Sequence, residues 1–168
     1  MIKDRIWSML VDLKFKGYCL AFLVDKFQKW DRNINIFLAV SSSGSIAAWA
    51  IWNAYPIIWG AIIAFSQVLT VVKPYIPYFK YVKELNTKCL KMEIINLELE
   101  RLWYHLQHDR ISSELSEDQY FDIRKQTTEI FNFGDDMIFE VDSTIERKAN
   151  ERMKTFLKNT YGLSITLN

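Results

Sequence analysis

The chain has 168 residues, half of them hydrophobic, with 21 basic and 20 acidic side chains and a formal charge of +1. That balance excludes a partnership driven by net charge alone, and two cysteines give no disulfide framework. The averages hide a sharp segregation, because the run from Asn33 to Val72 contains no Asp, Glu, Lys, Arg or His.

Residues 1–32 read as an amphipathic cytosolic helix. Ile6, Leu10, Leu13, Leu20, Val24 and Phe27 recur at helical intervals, with Gly17 as a kink. An apolar stripe of this kind is more often core than membrane anchor, so packing against the rest of the chain is expected over lying on a lipid surface. The opening Met1-Ile2-Lys3-Asp4-Arg5 mixes charges and does not read as a cleavable signal.

Residues 33–73 read as a transmembrane helical hairpin. The run is about twice the roughly 20 residues that one membrane-spanning helix needs. Asn53 can close one helix and Pro56 can open the next, which places the spans at about 34 to 53 and 56 to 73. A hairpin buried in a helical bundle is the alternative, but buried helices rarely lose every charge for so long. Trp30, Trp52, Tyr55, Tyr75, Tyr78 and Tyr81 lie where interfacial aromatics would sit. Lysines and arginines flank the run on both sides and are absent from its turn, so a multi-pass membrane location with both termini cytoplasmic is expected.

Residues 74–168 read as a cytosolic helical domain. Pro74 and Pro77 should kink or end the preceding helix. Met92, Ile95, Leu99, Leu102 and Leu106 then form a seam for another helix, ending near His108 to Ser113. Ser116 to Gln119 has the spacing of a capping box, and Tyr120, Ile123, Thr127 and Ile130 supply that helix's inner face. Asn132 to Asp136 reads as a turn. A last helix carries Ile138, Val141, Ile145, Ala149, Phe156 and Leu157 inward and ends near Gly162. The fold class is therefore all-α: a two-helix transmembrane hairpin with a cytosolic helical bundle.

Little in the sequence points to catalysis. Glycine-rich phosphate loops, metalloprotease motifs and nucleophile elbows are all missing, so no catalytic residue, metal or cofactor is assigned and the chain is not expected to be an enzyme. His105 and His108 could share a helix face and hold a metal, but a histidine near a helix C-terminus is also favoured by the helix dipole. Asp135-Asp136 is more simply a solvated turn than an acidic site. Arg147, Lys154 and Lys158 form a basic stripe, to which Lys148 and Arg152 add on adjacent faces, the pattern a phosphate-bearing ligand would need. Glu146 and Glu151 interrupt it, and surface ion pairs explain most such patterns.

Within the charge-free run, the stretch Ser41 to Ser45 falls at the middle of the first span, where polar groups should face protein or water. Ser41, Ser45 and Ala48 lie on one stripe. Gly44 with Ala48, and Gly60 with Ala64, have the spacing that permits close helix approach. Gln67 on the returning helix is level with Ser41, so the two could hydrogen-bond or share a polar seam. Ser41, Ser45, Ala48 and Gln67 are the candidates to line or gate a pore, with packing of helices alone as the competing account. Two helices cannot enclose a water path, so conduction requires several subunits.

Trp30-Asp31-Arg32, the span from Ser41 to Trp52, Trp59 to Gln67 and Lys73-Pro74-Tyr75-Ile76-Pro77 together resemble the layout of the SLATT-type two-transmembrane effectors of bacterial antiphage defence. The resemblance implies a pore-forming effector that permeabilises the inner membrane on phage infection, controlled by a nucleotide or oligonucleotide from a partner nucleotidyltransferase. The expected partners are thus the lipid bilayer, further copies of the chain in a homotetramer or similar assembly, that ligand and that enzyme. The competing function is a non-conducting, membrane-anchored adaptor that recruits a partner through the Met92 to Leu106 seam.

Overall fold

A computed structural model describes residues 2–43, 56–75, 77–132 and 142–163. Among these the chain is all-α, with helices α1 (Ile2–Ser43), α2 (Pro56–Val72), α3 (Pro77–Gln107), α4 (Ser113–Phe131) and α5 (Ser143–Tyr161), and a 3₁₀ turn over Lys73–Tyr75. The chain divides into two compact units, one formed by residues 1–24 and 84–168 and the other by residues 25–83.

The first unit is a helical bundle built on the expected stripes. Ile6, Leu10 and Leu13 of α1 meet Met92, Ile95, Leu99, Leu102 and Leu106 of α3 and Tyr120, Ile123 and Ile130 of α4 in one buried cluster. On α5, Ile145, Ala149, Met153 and Leu157 are buried at four-residue intervals. The α1 stripe is therefore core of its own protein, as its periodicity suggested. Of the expected α5 face, Phe156 is only partly buried and Met153 replaces it, while Ile138 and Val141 lie outside the described residues.

Helix ends follow the local chemistry. At the end of α3, Asp109 takes a left-handed conformation with φ 50°, and the Arg110 amide donates to the His105 carbonyl at 2.9 Å. Helix α4 begins four residues earlier than its capping-box pattern suggests: Ser112 is the N-cap, its hydroxyl accepting from the Leu115 amide. Ser116 is instead fully buried within the first turns, its hydroxyl donating to the Ser113 carbonyl at 2.7 Å. On α5, Asp142 caps the start by accepting from the Thr144 amide. Gly162 closes the other end at φ 67°, with the Leu163 amide reaching back to the Leu157 carbonyl, the arrangement in which glycine avoids the Cβ penalty.

Gly17 does not kink α1, which runs unbroken from Ile2 to Ser43. Its role is close approach to α3: a Cβ there would come within 2.9 Å of Asn96 Nδ2 and 3.4 Å of Met92 Cγ. Asn96 is buried, and its amide group reaches the Leu13 carbonyl at 3.5 Å.

In the second unit, Lys73 pairs with Asp31 at 2.8 Å and donates to Asn35 Oδ1 at 2.5 Å. Phe37 and Phe65 meet edge to face with centroids 5.9 Å apart. Helix α2 opens at Pro56, as the sequence suggested, and the Pro74–Pro77 region does end it. The multi-pass inner-membrane location, however, is corrected. Among the described residues no helix is long and apolar enough to cross a membrane. Helix α2 has 17 residues, which at 1.5 Å per residue extends about 26 Å, short of the roughly 30 Å hydrocarbon core. The described part of the first expected span is the end of α1, a helix whose preceding residues are densely charged. Residues 44–55, including the expected turn at Asn53, lie outside the described residues.

Candidate functional site

Burial of Ile145, Ala149, Met153 and Leu157 fixes the rotation of α5 and turns the opposite face outward. Arg147, Lys148 and Arg152 thereby share a shallow surface depression of about 490 Å³ with Glu151, Thr155 and the ring of Phe22. Glu151, the one carboxylate there, is paired to Lys154 at 3.4 Å, so three cations stand without a carboxylate partner among the described residues. Lys154 and Lys158 do not line the depression. Lys158 occupies the last turn of α5, where positive charge is favoured by the helix dipole. Such a surface can hold an oxyanion against a flat apolar edge.

The field of Arg152 extends to Tyr18. Burial raises the Tyr18 phenol above its ordinary range, the Arg152 charge opposes that rise, and Glu100 reinforces it. Glu100 is ion-paired with Lys14, both side chains being largely buried, and Lys14 Nζ lies 4.5 Å from the centroid of Phe156. Close by in the contact network, Trp7 packs on Trp103 and edge-on to Tyr161, each with centroids 5.0 Å apart. The Trp103 indole nitrogen is buried without a hydrogen-bond partner. Apart from Arg152, none of these side chains was a candidate site residue on sequence grounds. Their one legible signal was the placement of Trp7, Lys14 and Tyr18 beside, rather than on, the α1 stripe.

The pore candidates fare unevenly. Ser41 is partly buried, Gln67 is exposed, and no hydrogen bond joins them; Ser45 and Ala48 lie outside the described residues. Among the described residues of this unit the buried polar one is Ser66, whose hydroxyl donates to the Ile63 carbonyl at 2.8 Å, followed by Thr70 donating to the Ser66 carbonyl at 2.8 Å. These one-turn-back bonds satisfy hydroxyls inside a helix. Around them the apolar side chains face outward: Ile57 is 86% exposed, Val40 67% and Val71 65%, with Ile36, Ile58, Phe65 and Val68 more than half exposed. Gly60 is also exposed, and a Cβ there would meet nothing within 4 Å.

His108 Nδ1 lies 2.8 Å from the Tyr104 carbonyl oxygen, and its ring stacks against Tyr104 at 4.2 Å. Among the described residues no three His, Cys, Asp or Glu side chains converge as metal ligands. Asp135 and Asp136 lie outside the described residues. Cys19 is buried and Cys89 half-buried; desolvation raises both thiols, with Glu146 and Glu93 respectively adding to the rise. Neither is an activated nucleophile. Comparison with family models, curated proteins and solved structures finds no match to this chain.

Proposed function

We propose that this chain is a non-enzymatic, homo-oligomeric effector, whose second unit associates with further copies through its charge-free run and whose helical bundle answers to a phosphate-bearing signal. The observation that carries the reading is the outward-facing apolar surface of the second unit, from Ile36 and Val40 on α1 to Phe65, Val68 and Val71 on α2. An exposed apolar patch of this extent marks an interaction surface. A second copy is favoured as its cover because Gly60 and Ala64, one turn apart, are exposed rather than used between α1 and α2, leaving a small-residue track for another helix. Arg147, Lys148 and Arg152 are the residues assigned to the signal. The resemblance to SLATT-type effectors supports a role in antiphage defence and, for the signal, a nucleotide or oligonucleotide made by a partner nucleotidyltransferase.

Light scattering on the purified full chain tests the assembly. The wild type should be oligomeric, and Val68→Lys with Val71→Lys should shift it to the monomer while leaving its helical circular dichroism intact. A monomeric wild type, or one that remains monomeric and floats with phosphatidylglycerol vesicles, overturns self-association. Membrane depolarisation on induced expression is the readout for the pore activity suggested by the sequence.

The adaptor reading keeps support from a different surface. The Met92 to Leu106 seam is buried inside the bundle and cannot recruit a partner, but Leu90, Ile94, Leu97 and Tyr104 form an exposed stripe on the opposite side of α3. An oligomer that leaves the membrane potential unchanged, and whose activity is lost on Ile94→Lys, would favour this reading.

A further inference from the structure

A groove lies between the first four turns of α1 and the part of α4 from Tyr120 onward, with a volume of about 1000 Å³, at the upper end of the range for small-molecule sites. It is separate from the α5 depression. Arg5 enters it from α1 and Arg124 from α4. Neither guanidinium has an ion-pair or hydrogen-bond partner among the described residues. The groove also holds Asp4, Asp12 and Lys16, but these charges are already engaged: Lys16 pairs with Asp12 at 2.7 Å, and Asp4 has an interaction of its own. Two arginines on opposite walls are thus left without a counter-charge.

The lining mixes polar side chains, Ser8, Thr127, Thr128 and Asn132, with apolar ones: Met9 and Phe131 are partly buried there, and Tyr120 is buried. Lys16 Nζ lies 5.5 Å from the Phe131 centroid, which holds that ammonium over the ring. An arginine pair selects a group with several anionic oxygens, because each guanidinium presents paired N–H donors to it. The apolar part of the lining selects a flat or hydrocarbon body attached to that group. We propose that the α1–α4 groove binds a phosphate monoester carrying an aromatic or apolar body, with Arg5 and Arg124 gripping the phosphate and Met9, Tyr120 and Phe131 contacting the body. The site stands independently of the reading of the α5 surface.

Calorimetric titration of the purified full chain with phenyl phosphate tests this, with inorganic phosphate as the comparison. Phenyl phosphate should bind saturably and more tightly than inorganic phosphate. Arg5→Gln and Arg124→Gln should each weaken it about tenfold, the scale of one charge-assisted contact. Both side chains are exposed, so the fold should survive their replacement, as unchanged circular dichroism would verify. The combined Arg147→Gln, Lys148→Gln and Arg152→Gln variant should leave phenyl phosphate affinity within twofold. Absence of saturable binding, equal affinity for inorganic phosphate, or binding lost in the α5 triple variant and kept in Arg5→Gln and Arg124→Gln would each overturn the assignment. Loss of the α5 site alone would bear on the proposed signal site and not on this groove.

Discussion

In the bundle, Leu10 and Leu99 are wholly buried, whereas in the unit from Asp25 to Lys83 the equally apolar Ile57 and Val71 stand mostly exposed. The bundle segregates its residues by helical face, so each helix has charges on one side and a core stripe on the other. The second unit segregates by position along the chain. Its charges, among them Asp31 and Lys73, sit at the ends of the apolar run and pair there. One region therefore closes around a core, with apolar residues such as Leu90, Ile94 and Leu97 left on its outside, while the other carries its apolar surface outward. The contrast teaches that an apolar residue's energetic worth depends on what covers it, and that a single chain completes only the core of the bundle.

The comparison breaks first at the core. Leu99→Ala should cost about 2–5 kcal/mol by the cavity it leaves, while Val68→Ala, more than half exposed, should cost within about 0.5 kcal/mol in the monomer. Urea unfolding of the two variants measures the difference, and equal losses would erase the distinction between the regions.

Gly17→Val should follow, at about 1–3 kcal/mol of overpacking, because the added carbons drive into Asn96 and Met92. Gly60→Val should show no such loss, since nothing stands near its missing Cβ. The same unfolding measurement made below the assembly concentration separates them.

Ion pairs extend the comparison to smaller energies. Glu100→Gln leaves Lys14 largely buried without its carboxylate and should cost about 1–2 kcal/mol. Asp25→Asn removes the exposed pair to Lys29, spaced one helical turn apart, and should cost only about 0.3–0.5 kcal/mol. The first loss should persist at high salt and the second should vanish.

The smallest effect concerns the thiols. Because burial raises Cys19, the folded chain retains that proton more firmly than the unfolded chain. Its stabilising contribution is complete below the ordinary thiol range and falls as the pH rises through it. Iodoacetamide should therefore modify Cys19 slowly in the folded protein and rapidly in urea, by mass spectrometry, with Cys89 intermediate. Rapid modification of folded Cys19 at neutral pH would contradict its burial.

Much of the bundle was legible in order. All six apolar positions chosen on α1 and all five on the α3 seam are buried, because helical periodicity is a local property that any core-facing helix must show. The Gly162 terminus was legible for the same reason, a single residue able to take the left-handed conformation at no steric cost. Ser116 misled because Ser112, Ser113 and Ser116 stand within five residues at the start of α4, and only packing decides which becomes the cap and which is buried. Of the α5 basic stripe, the sequence offered five residues; the rotation of α5 brought Arg147, Lys148 and Arg152 into one surface depression.

What the sequence by itself determined is that the chain is helical, which helix faces turn inward, and that one stretch carries no charge, since each follows from side-chain chemistry at fixed spacing. Only the tertiary structure decided that α1 runs straight past Gly17 to pack closely on α3, that Arg5 and Arg124 flank one groove, and that no described helix is long and apolar enough to cross a membrane. Each of these depends on distances between residues far apart in the chain, or on where helices start and stop against one another, which periodicity does not encode.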